Sequence, residues 1–330
     1  CGAPVKVSRE RVPGEDVRAV VINSGNANAC TGARGIADAK TMTEVVAREI
    51  DCDPEAVLVC STGVIGHYLP LELITSGIPR VASSLSDSPE AFHAAARAMM
   101  TTDTVAKQSV HEATLAEGAC RVSGAAKGAA MIGPNMGTML AVVMTDAVMT
   151  PGQVDTVLRT AVDASFNSIS VEGHTSTSDT VLLLSGGTGP VVGGDGDLEA
   201  VAAAVASVCR DLARAIVADA EGADHLVQID VTGLRTREEA EVIARTVADD
   251  ALVKTAITGN DPNWGRIVSW CGRTGVDLGE DDITLTFNVI VIFREGVPVE
   301  YDEQAVSAAM RDDEQVVIAL QFPFGESSTR

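Results

Sequence analysis

The stretch "KGAAMIGPNMGTMLAVVMTDA" runs from Lys127 to Ala147 and changes character in its middle. Its first part carries Gly128, Gly133, Gly137 and Pro134, residues that punctuate turns. From Thr138 onward "TMLAVVMTDA" is an apolar run of strand length, closed by polar residues. A loose loop is thus joined directly to a buried strand, with Thr138 at the join. Working outward in both directions, strands and helices alternate. Upstream, "VRAVVINS" (17–24) and "AVLVCSTG" (56–63) are apolar runs ending in turn residues, with the helical pattern "DAKTMTEVVAREI" (38–50) between them. "SPEAFHAAARAMM" (88–100) predicts a second helix, capped by Ser88 or Asp87, and 104–128 reads as short β pieces.

Downstream, a helix opens on Thr150-Pro151, where proline fits the first turn. "DTVLLLSGG" (179–187) is a further strand. The Gly-rich segment 185–197 is a surface loop before a long helix, "DLEAVAAAVASVCRDLARAIVADA" (197–220), with an apolar face and Asp197 as its cap. The last third alternates again: strand "HLVQIDVTG" (225–233), helix "REEAEVIARTVADDALV" (237–253), and strand "ITLTFNVIVIF" (283–293) joined by "REGVP" to a return strand. The expected fold class is α/β (α+β), with layered sheets faced by helices. No repeat or low-complexity linker divides the chain.

Composition narrows the partners. The 330 residues are 46% hydrophobic, enough for a substantial core. A net charge of -22 argues against nucleic acid and against an anionic membrane, both of which would repel it. No apolar run approaches the roughly 20 residues that span a bilayer. The chain opens on Cys1 without a signal-peptide pattern or a Met, so an upstream piece is expected to be missing. Seven cysteines, never in CxxC spacing, suit free thiols in a reducing cytoplasm better than disulfides or a metal site. Lysine occurs only at 6, 40, 107, 127 and 254, which makes Lys127 in the quoted stretch conspicuous.

Familiar catalytic signatures are absent: there is no HExxH, GxSxG, GxGxxG or GxxxxGK[ST]. The histidines at 67, 93, 111, 174 and 225 lie far apart and read as structural or solvated. Four small-residue segments remain, each ending a strand or leading into one: "NSGNANACTG" (23–32), "STGVIG" (61–66), 127–140 and "GNDPNWGRI" (259–267). Any one alone is a tight turn. Together they suit a site of backbone amides and hydroxyls that stabilises an oxyanion, with glycine allowing close approach to a carbonyl. A hydroxyl nucleophile needs a base, and no histidine adjoins Thr138. A threonine freed as an N-terminus can use its own α-amine, whose unperturbed pKa is about 7.7–8.0. Thr138 would become such a residue by attacking the Gly137 carbonyl and breaking the chain there.

These segments, with "TTDT" (101–104), "SFNSISVEGHTSTSDT" (165–180) and "EGA" (221–223), resemble the ornithine acetyltransferase family, also called bifunctional glutamate N-acetyltransferase, of arginine biosynthesis. The resemblance covers essentially the whole chain. It implies the family's layered fold, which is similar to that of N-terminal-nucleophile aminopeptidases. It also implies self-cleavage into an α product, 1–137, and a β product, 138–330, that share one core. The implied reaction moves the acetyl group of N-acetylornithine to Thr138 and then to glutamate, with acetyl-CoA as an alternative donor and no cofactor or metal. The implied oxyanion pair is Thr62 and Gly63, and the implied substrate contacts are Thr101, Lys127, Thr138 and Glu221. Lys127 suits a substrate carboxylate and Glu221 an α-ammonium. An α₂β₂ assembly is implied as well.

The sequence departs from the family pattern at three points. Gly137 stands where Ala is usual, "EGADH" (221–225) where "EGATK" is common, and "HTSTSD" (174–179) where "DTSTND" is usual. Both ends are expected to be trimmed relative to the family. The alternatives are an N-terminal-threonine amidase or aminopeptidase, a paralogue with another acyl acceptor, and an uncleaved binding protein.

Overall fold

A computed structural model describes residues 1–132, 139–313 and 315–330. Gly137 and Thr138, and with them the expected point of cleavage, lie outside the described residues. The chain divides into two compact units, Cys1–Glu221 and Gly222–Arg330. The division does not coincide with the junction at 137/138.

The first unit holds α1 (Ala3–Arg9), β1 (Ala19–Asn26), α2 (Gly32–Ile50), β2 (Val57–Val64), α3 (Leu71–Ala82), α4 (Pro89–Met99), β3 (Lys107–Leu115), β4 (Gly118–Lys127), β5 (Leu140–Thr145), α5 (Pro151–Asp163), β6 (Thr180–Ser185) and α6 (Asp195–Ala218). β1 and β2 form a parallel pair, and the other four strands form a sheet of order β3-β4-β5-β6. Residue parity sets the layers, because successive strand side chains point to opposite faces. Val59 of β2 packs with Val7, Ala39 and Met42 of α1 and α2. Its neighbours Leu58 and Cys60 pack with Leu140 of β5 and Leu182 of β6. On the far face of the second sheet, Ala141, Val143 and Leu183 pack against Val201, Val205 and Val208 of α6. The result is helix, sheet, sheet, helix, as the apolar alternation requires. At Gly124 of β4 an added Cβ would lie 2.6 Å from Val208 Cγ1, so this glycine is what lets α6 press onto the sheet.

Most of the expected elements form, with differences that have local causes. Ser88 caps α4 by accepting from the Ala91 amide, and Thr150 and Gln153 make a reciprocal capping box at α5. The 104–128 segment is a continuous hairpin, β3 and β4, with pairing from Lys107↔Ala126 to Leu115↔Gly118. α6 begins two residues before the expected cap: Gly194 holds the N-cap position, and Asp197 instead accepts from the Gly193 and Ala116 amides. α3 forms in a stretch for which no element was expected, and Pro79 inside it removes the bond an amide there would give the Thr75 carbonyl.

The second unit holds β7 (Leu226–Leu234), α7 (Arg237–Asp249), α8 (Ala251–Thr258), α9 (Trp264–Cys271), β8 (Thr284–Phe287), β9 (Ile290–Arg294), β10 (Val297–Pro298), α10 (Glu303–Asp312), β11 (Gln315–Gln321) and β12 (Ser327–Thr329). Its sheet runs β10-β9-β8-β11-β7-β12, and one core joins that sheet to α7, α8, α9 and α10. The expected helix 237–253 is two helices, since Asp250 leaves helical geometry and caps α8 through the Val253 amide. The expected strand 283–293 is a hairpin, β8 and β9, turned at Asn288 with φ 51°.

Candidate active site

The parallel pair β1–β2 keeps register to its carboxyl end, where Ser24 faces Thr62 and Gly25 faces Gly63. Both glycines have positive φ, 102° and 128°. A Cβ on Gly63 would fall 2.2 Å from the Gly25 carbonyl carbon, so only glycine permits the two backbones to meet there. Thr62 has the parity of Leu58 and Cys60 and therefore turns into the space between the sheets. It is fully buried, and its Oγ1 has no hydrogen-bond partner among the described residues. A buried hydroxyl without a partner costs free energy, on the order of 1–3 kcal/mol, unless a ligand group supplies the partner during function.

The asparagines of "NSGNANACTG" hold this end in shape. Asn23 accepts from Ser61 Oγ at 2.5 Å and donates to the Asn26 carbonyl. Asn26 donates to the His67 and Tyr68 carbonyls, and Asn28 to that of Gly35. Ser24 Oγ then donates to the Ala98 carbonyl at 2.7 Å, tying β1 to the end of α4.

Three residues past Ala98 the chain enters "TTDT". Lys127 Nζ, at the end of β4, donates to Thr101 Oγ1 at 2.8 Å and lies 3.6 Å from Asp103 Oδ2. Asp103 is the hub. Its Oδ1 accepts from Lys107 Nζ at 2.7 Å and from the Gly128 amide at 2.6 Å, and its Oδ2 accepts from the Thr101 amide at 3.1 Å. Lys107 also reaches Asp219 at 2.6 Å, where α6 ends and its dipole favours a cation. Asp219 in turn accepts from the amide and hydroxyl of Thr104. The two lysines lie on opposite faces of the β3–β4 hairpin, and the aspartate at the sheet end reaches both. The side chains of Lys107, Lys127 and Asp103 are all buried, and the four charges of the network balance.

Burial pulls the Lys127 ammonium below the usual lysine range, partly offset by the Asp103 carboxylate and the more remote Glu221. Burial pushes Asp103 the other way, but hydrogen bonds from Lys107, Gly128 and Thr101 outweigh it and hold the carboxyl below its ordinary value. An ammonium has three donors, and among the described residues only Thr101 takes one at close range. Lys127 therefore keeps capacity for an anionic ligand.

Glu221 is exposed and is placed by its amide, which donates to the Ala129 carbonyl at 2.8 Å. Met139, the residue after Thr138, is held on both sides. Its amide donates to Asp179 Oδ1 at 3.1 Å, and its carbonyl accepts from the Thr180 amide at 3.2 Å. Burial raises the Asp179 carboxyl to about 7 despite the Met139 and Ser176 hydrogen bonds.

Thr101, Lys127 and the backbone leading to Glu221 are thus brought together directly. Thr62 and Gly63 join them through Ser24 and α4. In "GNDPNWGRI", in the second unit, Asn263 donates to Asp261 and Arg266 donates to the Leu252 carbonyl on α8. His225 of "EGADH" faces Asp224 Oδ1, Asn260 Oδ1 and the Met310 carbonyl, a structural role. Asp103, Lys107, Asp179 and Asp219 were not singled out from sequence. The scarcity of lysine and the acid inside "TTDT" were the available signals. A cavity of about 970 Å³ lined by Arg18, Leu58, Met144 and Leu182 opens at the opposite end of the sheets, away from these residues.

The first unit is a layered α/β architecture with a buried, charge-balanced cluster at the ends of its strands. The ArgJ family model matches residues 1–330. An arginine biosynthesis bifunctional protein ArgJ of Chlorobium chlorochromatii is 45% identical over 303 residues, covering 91% of this chain and 70% of that protein. Its counterpart in Rhodopirellula baltica is 42% identical over 324 residues, covering 96% and 78%. A crystal structure of the Bacillus halodurans protein of that name superposes with a TM-score of 0.53 at 30% identity, covering 56% of this chain and 88% of that one. The chain belongs to the ArgJ family, the bifunctional acetyltransferases of arginine biosynthesis.

Proposed function

We propose that the protein transfers the acetyl group of N-acetylornithine to glutamate through an ester on Thr138, after the chain breaks between Gly137 and Thr138 into products 1–137 and 138–330. The new α-amine of Thr138 takes the hydroxyl proton as Oγ attacks the acetyl carbonyl. The Thr62 hydroxyl and Gly63 amide receive the oxyanion. Ornithine leaves, glutamate enters, and the reverse attack by its amine releases N-acetylglutamate. Lys127 receives the substrate carboxylate and Glu221 the ammonium end. Acetyl-CoA is a second candidate donor, and the two products of each chain pair into an α₂β₂ assembly.

The observation that carries this reading is the buried Thr62 hydroxyl with no partner among the described residues, at a strand end that only glycine can complete. An oxyanion hole needs donors held in place before charge develops, and such a hydroxyl meets that requirement. Replacing Thr138 with Ala is expected to abolish both chain breakage and acetyl transfer. Intact mass under denaturing conditions reads the first, and ornithine release reads the second. A Thr138→Ala protein that is still cut between 137 and 138 removes Thr138 as nucleophile.

A further inference from the structure

Lys107 and Lys127 lie on one hairpin and are both buried, but their donors are spent differently. Among the described residues Lys127 Nζ makes one close hydrogen bond, to Thr101. All three donors of Lys107 Nζ are taken, by Asp103 Oδ1 at 2.7 Å, Asp219 Oδ2 at 2.6 Å and the Val105 carbonyl at 3.4 Å. Lys107 has nothing left to offer a ligand, and its work is to hold.

Its two carboxylates lead in opposite directions to the two poles of the site. Asp103 leads to Lys127, through the 3.6 Å approach of Oδ2 to Nζ and the bonds from the Thr101 and Gly128 amides. Asp219 ends α6 two residues before Glu221, and Thr104 fixes it through amide and hydroxyl. The ring closes through the backbone, where Ala129, two residues beyond Lys127, accepts from the Glu221 amide at 2.8 Å. Between the poles is a gap: no ion pair joins Glu221 to Lys127 among the described residues, although the charge of Glu221 reaches the Lys127 ammonium. We infer that Lys107 sets the width of this gap, and with it the length of amino-acid side chain accepted, on the reading that Lys127 takes the carboxylate of N-acetylornithine and Glu221 its ammonium.

Lys107 is the stronger of the two ties that close the ring. Its bonds to Asp103 and Asp219 are buried and charge-assisted, whereas the Glu221 amide on Ala129 makes a single neutral bond. Without the ammonium, Asp103 and Asp219 are two carboxylates that repel. The end of α6 can then draw away from β3 and β4, and Glu221 moves with it. Asp103 still faces Lys127 and Thr104 still holds Asp219, so both poles survive while their separation relaxes. Lys107 is thus a positioning residue that decides specificity without touching substrate.

The test compares kcat/KM for N-acetylornithine with that for N-acetyllysine, longer by one methylene, with glutamate as acceptor. In a ping-pong reaction that constant reports the donor half alone. A ratio of two donors on one sample is also independent of the fraction that is folded. Wild type is expected to favour N-acetylornithine roughly 10–200-fold, the usual worth of one methylene. Lys107→Met is expected to cut that ratio about tenfold or more, and Asp219→Asn, which weakens the same link from α6, to cut it in the same direction. Glu221→Gln should cut it too, because the donor's ammonium then meets no carboxylate. A wild-type ratio in Lys107→Met or in Asp219→Asn, with the Glu221→Gln ratio reduced, overturns the inference and leaves the assignment of Glu221 intact. A wild-type ratio in Glu221→Gln removes that assignment and the inference with it. Wild type that uses both donors equally overturns the inference without reference to any variant. Wild type inactive with both donors removes the acetyl-transfer reading itself.

Discussion

At the residue scale the site turns on groups whose surroundings are incomplete or over-determined. Thr62 is incomplete: its hydroxyl is buried and lacks a partner among the described residues. Thr62→Ala is expected to lower kcat roughly 10²–10³-fold, the effect of one lost oxyanion donor, with little change in KM. Steady-state kinetics at saturating N-acetylornithine checks it, and an unchanged kcat takes Thr62 out of the oxyanion hole. Asp103 is over-determined, holding two lysines and two amides at once. Asp103→Asn leaves Lys107 and Lys127 without their shared counter-charge and is expected to cost about 3–5 kcal/mol of stability. Adding Lys107→Met should recover most of that stability, yet KM should stay high, because Lys127 remains without the carboxylate that places it. Denaturant midpoints and KM measured together separate the two effects. The folded-state pKa of Asp103 is depressed, so its contribution is present above the unfolded value near 3.8 and is lost as pH falls further. Asp179 has the opposite sign. Its raised pKa favours the folded state below about 4, an advantage lost as pH rises through about 7.

At the element scale, the strand ends are the working parts. β1 and β2 stay in register to Asn26↔Val64, and the close approach of Gly25 and Gly63 is what allows it. Gly63→Ala must either clash with the Gly25 carbonyl carbon or abandon a φ of 128°. The expected result is loss of acetyl transfer with retained helical signal, read by activity and far-ultraviolet circular dichroism. Full activity in Gly63→Ala would mean that the approach is not needed. The hairpin β3–β4 does comparable work from the other side. Because its facing residues share a face, Lys107 turns to α6 with Ala126, and Lys127 turns to the interlayer with Leu140.

At the scale of the whole molecule, residues 222–330 carry a core of their own, from Val231 and Ile243 to Ile318 and Leu320, around a six-stranded sheet. This segment is expected to fold when produced alone, with a cooperative thermal transition. A non-cooperative melt would show that its core is insufficient by itself. In the first unit, β3 and β4 precede the proposed break while β5 and β6 follow it, and all four are one sheet. Their ladder of hydrogen bonds would persist across a cut at 137/138, so cleavage there leaves the unit assembled.

Sequence by itself determined the alternation of strands and helices, the start of α4 at Ser88 or Asp87, the opening of α5 on Thr150-Pro151, and the family, because these depend on local pattern and on motifs contiguous in the chain. Thr138 stood out at the join of loop and strand and Lys127 through the scarcity of lysine, whereas Thr62, Gly63, Thr101 and Glu221 were reached through the resemblance alone, since small residues in turns look alike without it. Local chemistry misled where a single residue decides an element: Asp250 splitting α7 from α8 and Asn288 turning β8 into β9. Only the tertiary structure decided that Asp103 meets Lys107 and Lys127, that Asp219 closes the network from 112 residues away, and that Asp179 holds the amide after Thr138. Those pairings are set by sheet register and layer packing, which bring distant residues to one strand end, and no local sequence pattern encodes that distance.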